Sequence, residues 1–407
     1  MKRDPGLGTR NSALLDATLK HLHMLVGFDT RNPPRAIGAD GIFDYLRTQL
    51  PGFDVEITDH GAGAVSLFAT RGEPKLLFNV HLDTVPDSPA WSASPFALRV
   101  TDDRAIGLGA CDIKGAAAAL LAAANAGSGD LALLFTTDEE GTDPRCIRAF
   151  LDAFPPLPSG EGRGEGTSGA RLGGESEPSP QPLSRRERGF RAVIVAEPTR
   201  GKAVLAHRGI LSGYARFAGR AGHASAEQKP GDSALHQAVR WSHAALDFAD
   251  AQSQQGFGEL HGLRFNLGRI EGGIKANMIA PSAEVRFGMR PLPSMDMDAQ
   301  LERLRTLVEP TPVEFRETFR GPPLPADTAN ANARQQDARE LADALGITVG
   351  DAVDFWTEAA LFSRAGYTTF VFGPGDIAQA HSADEWVALD QLETVATTYL
   401  RILEKTR

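Results

Sequence analysis

The sequence predicts an α/β protein in which a mixed, mostly parallel sheet is flanked by helices and interrupted by an inserted α+β two-layer module. Three observations predict this fold. Short apolar runs typical of buried strands alternate with helical patterns in the first half of the chain. From residue 205 to residue 319 the pattern changes to alternating strands and amphipathic helices. Several of the apolar runs are followed at once by ionisable side chains.

The predicted central sheet is built from apolar runs that are separated by helices. Helical periodicity marks the two segments that precede the first run, at residues 18–30 and 41–50. The predicted strands are residues 75–80, 131–136, 192–196 and 369–372, and an Ala/Leu-rich helix covers residues 115–126. Strands that alternate with helices in this way favour a largely parallel sheet.

The inserted module shows a different pattern. It contains predicted strands at residues 203–217, 263–270 and 283–290, and helices at 232–252, with Asp232 or Ser233 as N-cap, and at 295–309. A Pro-rich stretch, residues 320–327, then returns the chain to the first sheet, which a helix at 334–345 helps to complete. We therefore expect a catalytic domain of residues 1–204 and 320–407, and a lid and dimerisation domain of residues 205–319.

Residues 155–189 differ from both predicted domains. This segment is rich in Gly, Pro, Ser, Glu and Arg and contains almost no large apolar side chains. It cannot bury enough surface to offset the entropy cost of ordering, so we expect a mobile surface insertion. An interaction tail is the alternative reading of its charge.

Composition excludes several classes of protein. The 407 residues carry a formal net charge of −10, which argues against a protein that binds nucleic acid or a membrane surface. No apolar stretch is long enough to span a membrane, and the first residues lack a signal-peptide core. Two cysteines cannot form a disulfide framework for a chain of this size. We expect a cytoplasmic protein.

Ionisable residues follow the predicted strands at the points where these end. The set consists of His81, Asp83, Asp112, Asp138, Glu139, Glu140, Glu197 and His381. Open α/β sheets place ligand sites beyond the carboxyl ends of their strands, so these side chains are expected to converge. Several carboxylates near one point repel each other, and divalent cations relieve that repulsion. Imidazole and carboxylate ligands suit Zn²⁺, with Co²⁺ or Mn²⁺ as substitutes.

Five motifs resemble a known family of enzymes. These are HLDTVP (81–86), GLGACDIKG (107–115), TTDEEG (136–141), AEPT (196–199) and the AHSADEW stretch (380–386). In this order they resemble the dinuclear-zinc amidohydrolases, the group that includes acetylornithine deacetylase, succinyl-diaminopimelate desuccinylase, carboxypeptidases and aminoacylases. The resemblance runs from about residue 76 to residue 388, which is nearly the whole chain.

The resemblance implies a role for each residue of the set. His81, Asp112 and Glu197 would hold one metal ion, and Asp112, Glu140 and His381 the other, with Asp112 bridging. Asp83 would orient the ring of His81, and Glu139 would be the general base. A protein of this fold that had lost its activity, such as a scaffold, would be expected to lack part of this set.

The resemblance also assigns functional residues to the inserted module. His223, in RAGHAS, would stabilise the oxyanion, and in several relatives such a histidine comes from the partner protomer of a homodimer. Asn277 and Arg290, in the segment 272–293, would hold the carboxylate of the substrate.

Within this group the motifs favour hydrolysis of an N-acetylated amino acid, either N-acetylornithine or N-acetylcitrulline, in arginine biosynthesis. Succinyl-diaminopimelate desuccinylase, dipeptidase and carboxypeptidase activities are the alternatives.

The sequence leaves open the roles of three residues in or near the motifs. Cys111 reads as a small buried thiol, Lys114 as a partner of nearby carboxylates or as a solvated lysine, and Glu358 as a helix cap or a pocket residue.

Overall fold

The computed structural model describes residues 5–141, 143–155, 189–227, 229 and 231–405. Apart from its two end residues, the predicted insertion at 155–189 lies outside the described residues. The first elements along the chain are α1 (Pro5–Val26), α2 (Ile42–Thr48), β1 (Asp54–Asp59), β2 (Val65–Arg71), β3 (Leu76–His81), β4 (Arg99–Val100), β5 (Arg104–Ile106), α3 (Lys114–Ala126), β6 (Leu131–Thr136), α4 (Arg145–Ala153) and β7 (Ala192–Val195).

The remaining elements form the inserted module and the return to the first sheet. The module contains β8 (Ile210–Ala218), β9 (Gly222–His223), α5 (Ala234–Asp250), β10 (Gly256–Phe257), β11 (Leu260–His261), β12 (Arg264–Gly272), β13 (Met278–Ile279), β14 (Ser282–Arg290), α6 (Met297–Arg305) and β15 (Glu314–Gly321). The last elements are α7 (Ala331–Leu345), α8 (Ala359–Ala365), β16 (Thr368–Val371), β17 (Trp386–Ala388) and α9 (Leu389–Lys405).

The central sheet has six strands in the order β1-β2-β6-β3-β7-β16. Strands β6, β3, β7 and β16 are parallel, whereas β2 runs antiparallel to both β6 and β1. This is the mixed, mostly parallel sheet that the sequence predicts. Because the carboxyl ends of the four parallel strands meet at one edge, the residues that follow β3, β6 and β7 are brought close together.

Helices cover the sheet, and α3 is the most deeply buried of them. It packs against α1 and α9, and its residues from Lys114 to Ala124 are all buried. Alanine side chains allow this close approach of neighbouring helices at little cost in side-chain entropy. The predicted Ala/Leu-rich helix is therefore a core element, and its first turn extends directly from Asp112.

The inserted module is the two-layer α+β structure that the sequence predicts. Its antiparallel sheet has the order β12-β14-β8-β15, and α5 packs against β8, β12 and β14. Trp241 of α5 is fully buried and donates its indole N–H to the carbonyl of Leu304 at 2.8 Å. Of the two predicted N-caps, Ser233 caps α5 by accepting a hydrogen bond from the backbone N–H of His236.

One prediction for this module is wrong in detail, and one strand was missed. The strand predicted at 203–217 begins only at Ile210, because the preceding residues make isolated bridges to other segments, including Ala203 to Val349 and Val204 to Val371. Strand β15 was not predicted, because its sequence carries charged residues along an exposed edge of the sheet.

None of the described helices is both long and apolar enough to cross a membrane.

Candidate active site

The site lies at the edge of the central sheet where three adjacent parallel strands end. His81 is the last residue of β3, Glu139 and Glu140 follow β6, and Glu197 follows β7. His81 pairs in register with Thr136, the last residue of β6. The order of the strands thus brings together side chains that are far apart in the sequence, as the sequence predicts.

The five predicted metal ligands form two groups that share Asp112. The first group is His81, Asp112 and Glu197, and the second group is Asp112, Glu140 and His381. Within each group the potential donor atoms lie within 4.8 Å of one another. The Nε2 atom of His81 is 3.1 Å from one carboxylate oxygen of Asp112, and Nε2 of His381 is 3.1 Å from the other. Asp112 is therefore placed to bridge two cations.

Further contacts close each group. In the first, Nε2 of His81 lies 3.8 Å from the nearest carboxylate oxygen of Glu197. In the second, Nε2 of His381 lies 3.0 Å from Glu140. Each group offers one imidazole, one carboxylate of its own and a share of Asp112, a donor set that fits a divalent metal ion such as Zn²⁺.

Asp83 is buried beneath the site and contacts several of its parts. The Nδ1 atom of His81 lies 3.0 Å from the backbone carbonyl oxygen of Asp83 and 3.4 Å from its carboxylate. The same carboxylate accepts hydrogen bonds from the backbone N–H of Glu140 at 3.0 Å and of Glu139 at 3.4 Å. The side chain of Asn32, which sequence analysis did not identify, donates to it at 2.9 Å. Asp83 thus contacts both the ring of His81 and the turn that carries Glu139, and its orienting role stays a prediction.

The electrostatics of the site favour bound cations. Burial raises the pKa of Glu197 to about 7 and raises the pKa of Glu139 well above its ordinary range. Hydrogen bonds to Asp112 and Glu140 raise the pKa of His381 to about 10. Buried carboxyl groups this close together resist ionising at the same time unless positive charge is supplied, and divalent metal ions supply it.

A cleft of about 710 Å³ opens onto both groups. Its lining includes Asp112, Glu139, Glu140, Gly141, Glu197 and His381 from the metal-ligand side, and Ile210, Ser212, Arg290, Thr318, Phe319, Phe355, Trp356 and Ile377 from the remaining walls. Arg290 is the last residue of β14, and burial lowers its pKa. The structure therefore brings the predicted general base, Glu139, into the same cleft as Arg290, which is predicted to bind the carboxylate of the substrate.

The other two predicted lid residues lie elsewhere in this chain. His223 is opposite Met278 in the small β9–β13 ladder, and the backbone carbonyl of Asn277 accepts a hydrogen bond from Ala224 at 2.9 Å. His223 is exposed and lies 2.7 Å from the hydroxyl of Ser225. Neither His223 nor Asn277 is among the described residues that line the cleft. Their roles remain predictions.

Asp138 has a structural role next to the predicted base. Its carboxylate accepts hydrogen bonds from the backbone N–H groups of Arg145 at 2.6 Å and Cys146 at 2.9 Å, at the start of α4. It also lies 3.3 Å from the guanidinium of Arg35. Of the three acidic residues after β6, Asp138 therefore holds the turn, while Glu139 and Glu140 face the cleft.

The three residues whose roles were open are all buried. Cys111 is a buried free thiol, as predicted. Lys114 is fully buried and donates to the backbone carbonyl of Phe28 at 2.9 Å, so the solvated-lysine reading is wrong; burial lowers its pKa to about 7. Glu358 is 1% exposed, and its side chain does not cap α8 but accepts a hydrogen bond from Thr136 at 3.4 Å.

Sequence analysis missed Glu385, which follows His381 by four residues. Its carboxylate is buried against the turn that carries Asp112 and accepts hydrogen bonds from three backbone N–H groups there. In the sequence it stands in a polar stretch and resembles a surface residue. Its position inside the AHSADEW motif that contains His381 is the signal that could have identified it.

Comparison with known proteins gives a consistent result. The family model for the peptidase family M20/M25/M40 matches residues 77–405. The chain is 59% identical to an N-acetyl-L-citrulline deacetylase of Xanthomonas campestris pv. campestris over 96% of this chain and 98% of that protein. It is 27% identical to an acetylornithine deacetylase of Vibrio vulnificus over 87% of this chain and 88% of that one.

Solved structures agree in fold. The aminopeptidase PepT from Bacillus cereus superposes with a TM-score of 0.65 at 17% identity, over 96% of this chain and 98% of that one. A dinuclear metal-binding peptidase of the M20 family from Bacillus subtilis superposes with a TM-score of 0.59 at 13% identity, over 97% and 100% of the two chains. The sequence motifs, the paired ligand groups and the family match lead to one conclusion: this chain belongs to the peptidase family M20/M25/M40.

Proposed function

We propose that this chain is a two-metal hydrolase that cleaves the amide bond of N-acetylcitrulline, releasing acetate and the free amino acid in arginine biosynthesis. The observation that carries the proposal is the pair of ligand groups that share Asp112 and open, with Glu139, onto one cleft. The high identity to an N-acetyl-L-citrulline deacetylase supports the choice of substrate.

The geometry supports a specific division of labour. Two divalent cations held by these groups, Zn²⁺ or in its place Co²⁺, would polarise the substrate carbonyl and lower the pKa of the attacking water. Glu139 accepts a proton as water adds to the carbonyl carbon, and then delivers it to the leaving nitrogen. The C–N bond breaks, so that acetate and a free α-amine are formed. Asp83 keeps the backbone of Glu139 in place through the hydrogen bond at 3.4 Å.

The charge of the cleft supports a substrate with a neutral side chain. Apart from the ligand groups and Glu139, Arg290 is the only charged side chain among the described residues that line it. The positive guanidinium of Arg290 suits the α-carboxylate of the substrate. An ornithine side chain ends in an ammonium group. Among the described residues that line the cleft, the only carboxylates that could pair with it are those of the ligand groups and Glu139. The neutral ureido group of citrulline can instead hydrogen-bond to hydroxyls such as those of Ser212 and Thr318.

The inserted module supports a homodimer. Strand β12 forms an exposed edge of its sheet, and Ile270 on that strand is 43% exposed. Val239 and Leu246 on the neighbouring helix α5 are also exposed. A second copy packed against this lid surface would cover these apolar side chains. In such a dimer we place His223 in the active site of the partner, because His223 is not among the described residues that line the cleft of its own chain.

A substrate panel tests the proposal. The zinc- or cobalt-loaded protein is assayed with N-acetylcitrulline, N-acetylornithine, N-succinyl-diaminopimelate and simple dipeptides. The proposal predicts the highest kcat/KM for N-acetylcitrulline. A preference for N-acetylornithine would overturn the substrate assignment, and a preference for the succinyl compound or for dipeptides would overturn the deacetylase class. Failure of the metal-loaded protein to hydrolyse any of these would favour an inactive scaffold.

A further inference from the structure

We propose that Glu385 is a positioning residue that fixes the bridging carboxylate of Asp112 for the second group of metal ligands. This inference rests on the two-metal site of the proposed function. Glu385 belongs to neither ligand group and is not among the described residues that line the cleft. Its place in the structure assigns it a task that acts through Asp112.

The carboxylate of Glu385 binds one turn through three backbone amides. One oxygen accepts from the N–H of Cys111 at 2.8 Å and of Asp112 itself at 2.9 Å. The other oxygen accepts from the N–H of Gly109 at 3.0 Å. In addition, the backbone carbonyl of Glu385 accepts from the N–H of Gly107 at 3.0 Å. The turn from residue 107 to residue 112 is therefore held at four points by a single residue.

These hydrogen bonds cannot be replaced by water, because Glu385 is 2% exposed. An unsatisfied buried N–H carries its full desolvation cost. A buried acceptor at this point is thus matched to a turn that presents three donors.

The turn has little freedom to rearrange without Glu385. Gly109 adopts a φ of 79°, and a Cβ atom there would lie 2.8 Å from the side chain of Thr84. On the other side, Gly375 packs so closely that a Cβ atom would lie 2.6 Å from the sulfur of Cys111. The direction of the Asp112 side chain is therefore set by a tightly packed turn and by the carboxylate that closes it.

Glu385 also links the two ligands of the second group: it accepts a hydrogen bond from the backbone N–H of Asp112 and belongs to the same chain segment as His381. It lies four residues after His381, and the two ligands approach to 3.1 Å at the second group. His81, by contrast, is oriented independently by Asp83. Disturbing Glu385 should therefore weaken the second group more than the first.

The test is a zinc titration of the Glu385→Gln variant. Glutamine has nearly the shape of glutamate, but its NH₂ group would face at least one of the three N–H donors. Residues that orient metal ligands typically contribute about 10–100-fold in metal affinity. We expect a loss of this size at the second group and a smaller loss at the first, by calorimetry on chelator-treated full-length protein. The second group is identified as the zinc site that the His381→Ala variant loses.

A matched control is Asp384→Asn, the neighbouring carboxylate, which bonds to Ser92 and Arg99 and not to the Asp112 turn. It should bind zinc as the wild type does. Wild-type affinity at both sites in folded Glu385→Gln, or an equal loss at both sites, would overturn the inference. If that variant does not fold, Glu385→Asp is titrated instead, and unchanged zinc affinity in it would overturn the inference equally. A wild-type protein that binds no zinc would refute the proposed function itself.

Discussion

The Asp83→Asn substitution tests whether Asp83 orients the ring of His81 and the turn that carries Glu139. Asp83 is fully buried, and its carboxylate accepts hydrogen bonds from three donors: the side chain of Asn32 and the backbone N–H groups of Glu139 and Glu140. It also lies 3.4 Å from the Nδ1 atom of His81. Asparagine has one acceptor oxygen and places an NH₂ group where the second carboxylate oxygen was. In either orientation of the amide, the NH₂ group of asparagine would point at one or more of the N–H donors, and no hydrogen bond can form between two donors.

The structure sets the size of the effect. Hydrogen bonds to charged groups contribute about 1.5–3 kcal/mol each, so the loss of one or two should lower the free energy of unfolding by about 2–5 kcal/mol. Metal affinity should fall by about 10–100-fold, as is typical when the partner of a ligating histidine is changed. The loss should concentrate at the first group, because the carboxylate that is changed lies 3.4 Å from the Nδ1 atom of His81.

Urea unfolding and zinc titration measure these two effects. Asp87→Asn is the matched control, since that carboxylate forms a partly exposed ion pair with Arg31 outside the ligand groups. Surface ion pairs are worth about 0–1 kcal/mol, so the control should change little. If Asp83→Asn retained wild-type zinc affinity at both sites, the proposed orientation of His81 by Asp83 would be wrong.

Three further predictions concern the chemistry of the cleft. Glu139→Gln should lower kcat by about 10²–10⁴-fold while the bound metal stays near that of the wild type; retained activity would remove Glu139 as the base. Arg290→Ala should raise KM for an N-acetylated amino acid by about 10–100-fold, since a charge-assisted hydrogen bond of about 1.5–3 kcal/mol is lost, and an unchanged KM would contradict this. After chelation, the contribution of His381 to stability should fall as pH rises from 6.5 towards 10: its raised pKa gives a contribution that is complete below 6.5 and disappears above about 10. Urea midpoints across this range should decline less in His381→Ala, and equal slopes would refute that origin.

The sequence was sufficient to predict that the ligands converge, because each stands at the end of a recognisable strand or in a motif; their division into two groups was implied by the family resemblance. His81, Glu140 and Glu197 follow apolar runs that the structure shows as β3, β6 and β7. Parallel strands bring their carboxyl ends to one edge, so separation along the chain does not matter. The same reasoning led to the α+β module, whose strands alternate clearly.

Residues that support the ligands were harder to predict. Glu385 and Lys114 are charged, and in a sequence such residues usually indicate solvent exposure. Their burial depends on partners that lie far away in the chain: three amides of the Asp112 turn for Glu385, and the carbonyl of Phe28 for Lys114. Asn32 likewise contacts Asp83 across 51 positions. The sequence around these residues does not show which partners they contact, although the position of Glu385 in the His381 motif marks it as a candidate.

Edge strands were missed for a related reason. Strand β15 alternates polar and partly buried residues and lies at the edge of the module's sheet. In the central sheet, the edge strand β1 carries several exposed charged side chains. Its neighbour β2 lies inside the sheet and is largely buried, so this reason does not apply to β2. A strand that buries only part of one face leaves a weak hydrophobic signal, and its pairing is decided by tertiary packing.

Two metal ions bound by two groups that share Asp112 are the basis of the proposed function. Crystals of the zinc-loaded protein, measured on both sides of the zinc absorption edge, test this arrangement most directly. We expect two anomalous peaks about 3.5–4 Å apart, as in other two-metal sites. One should lie among His81, Asp112 and Glu197, and the other among Asp112, Glu140 and His381. A single peak, or peaks away from Asp112, would show that this arrangement is wrong.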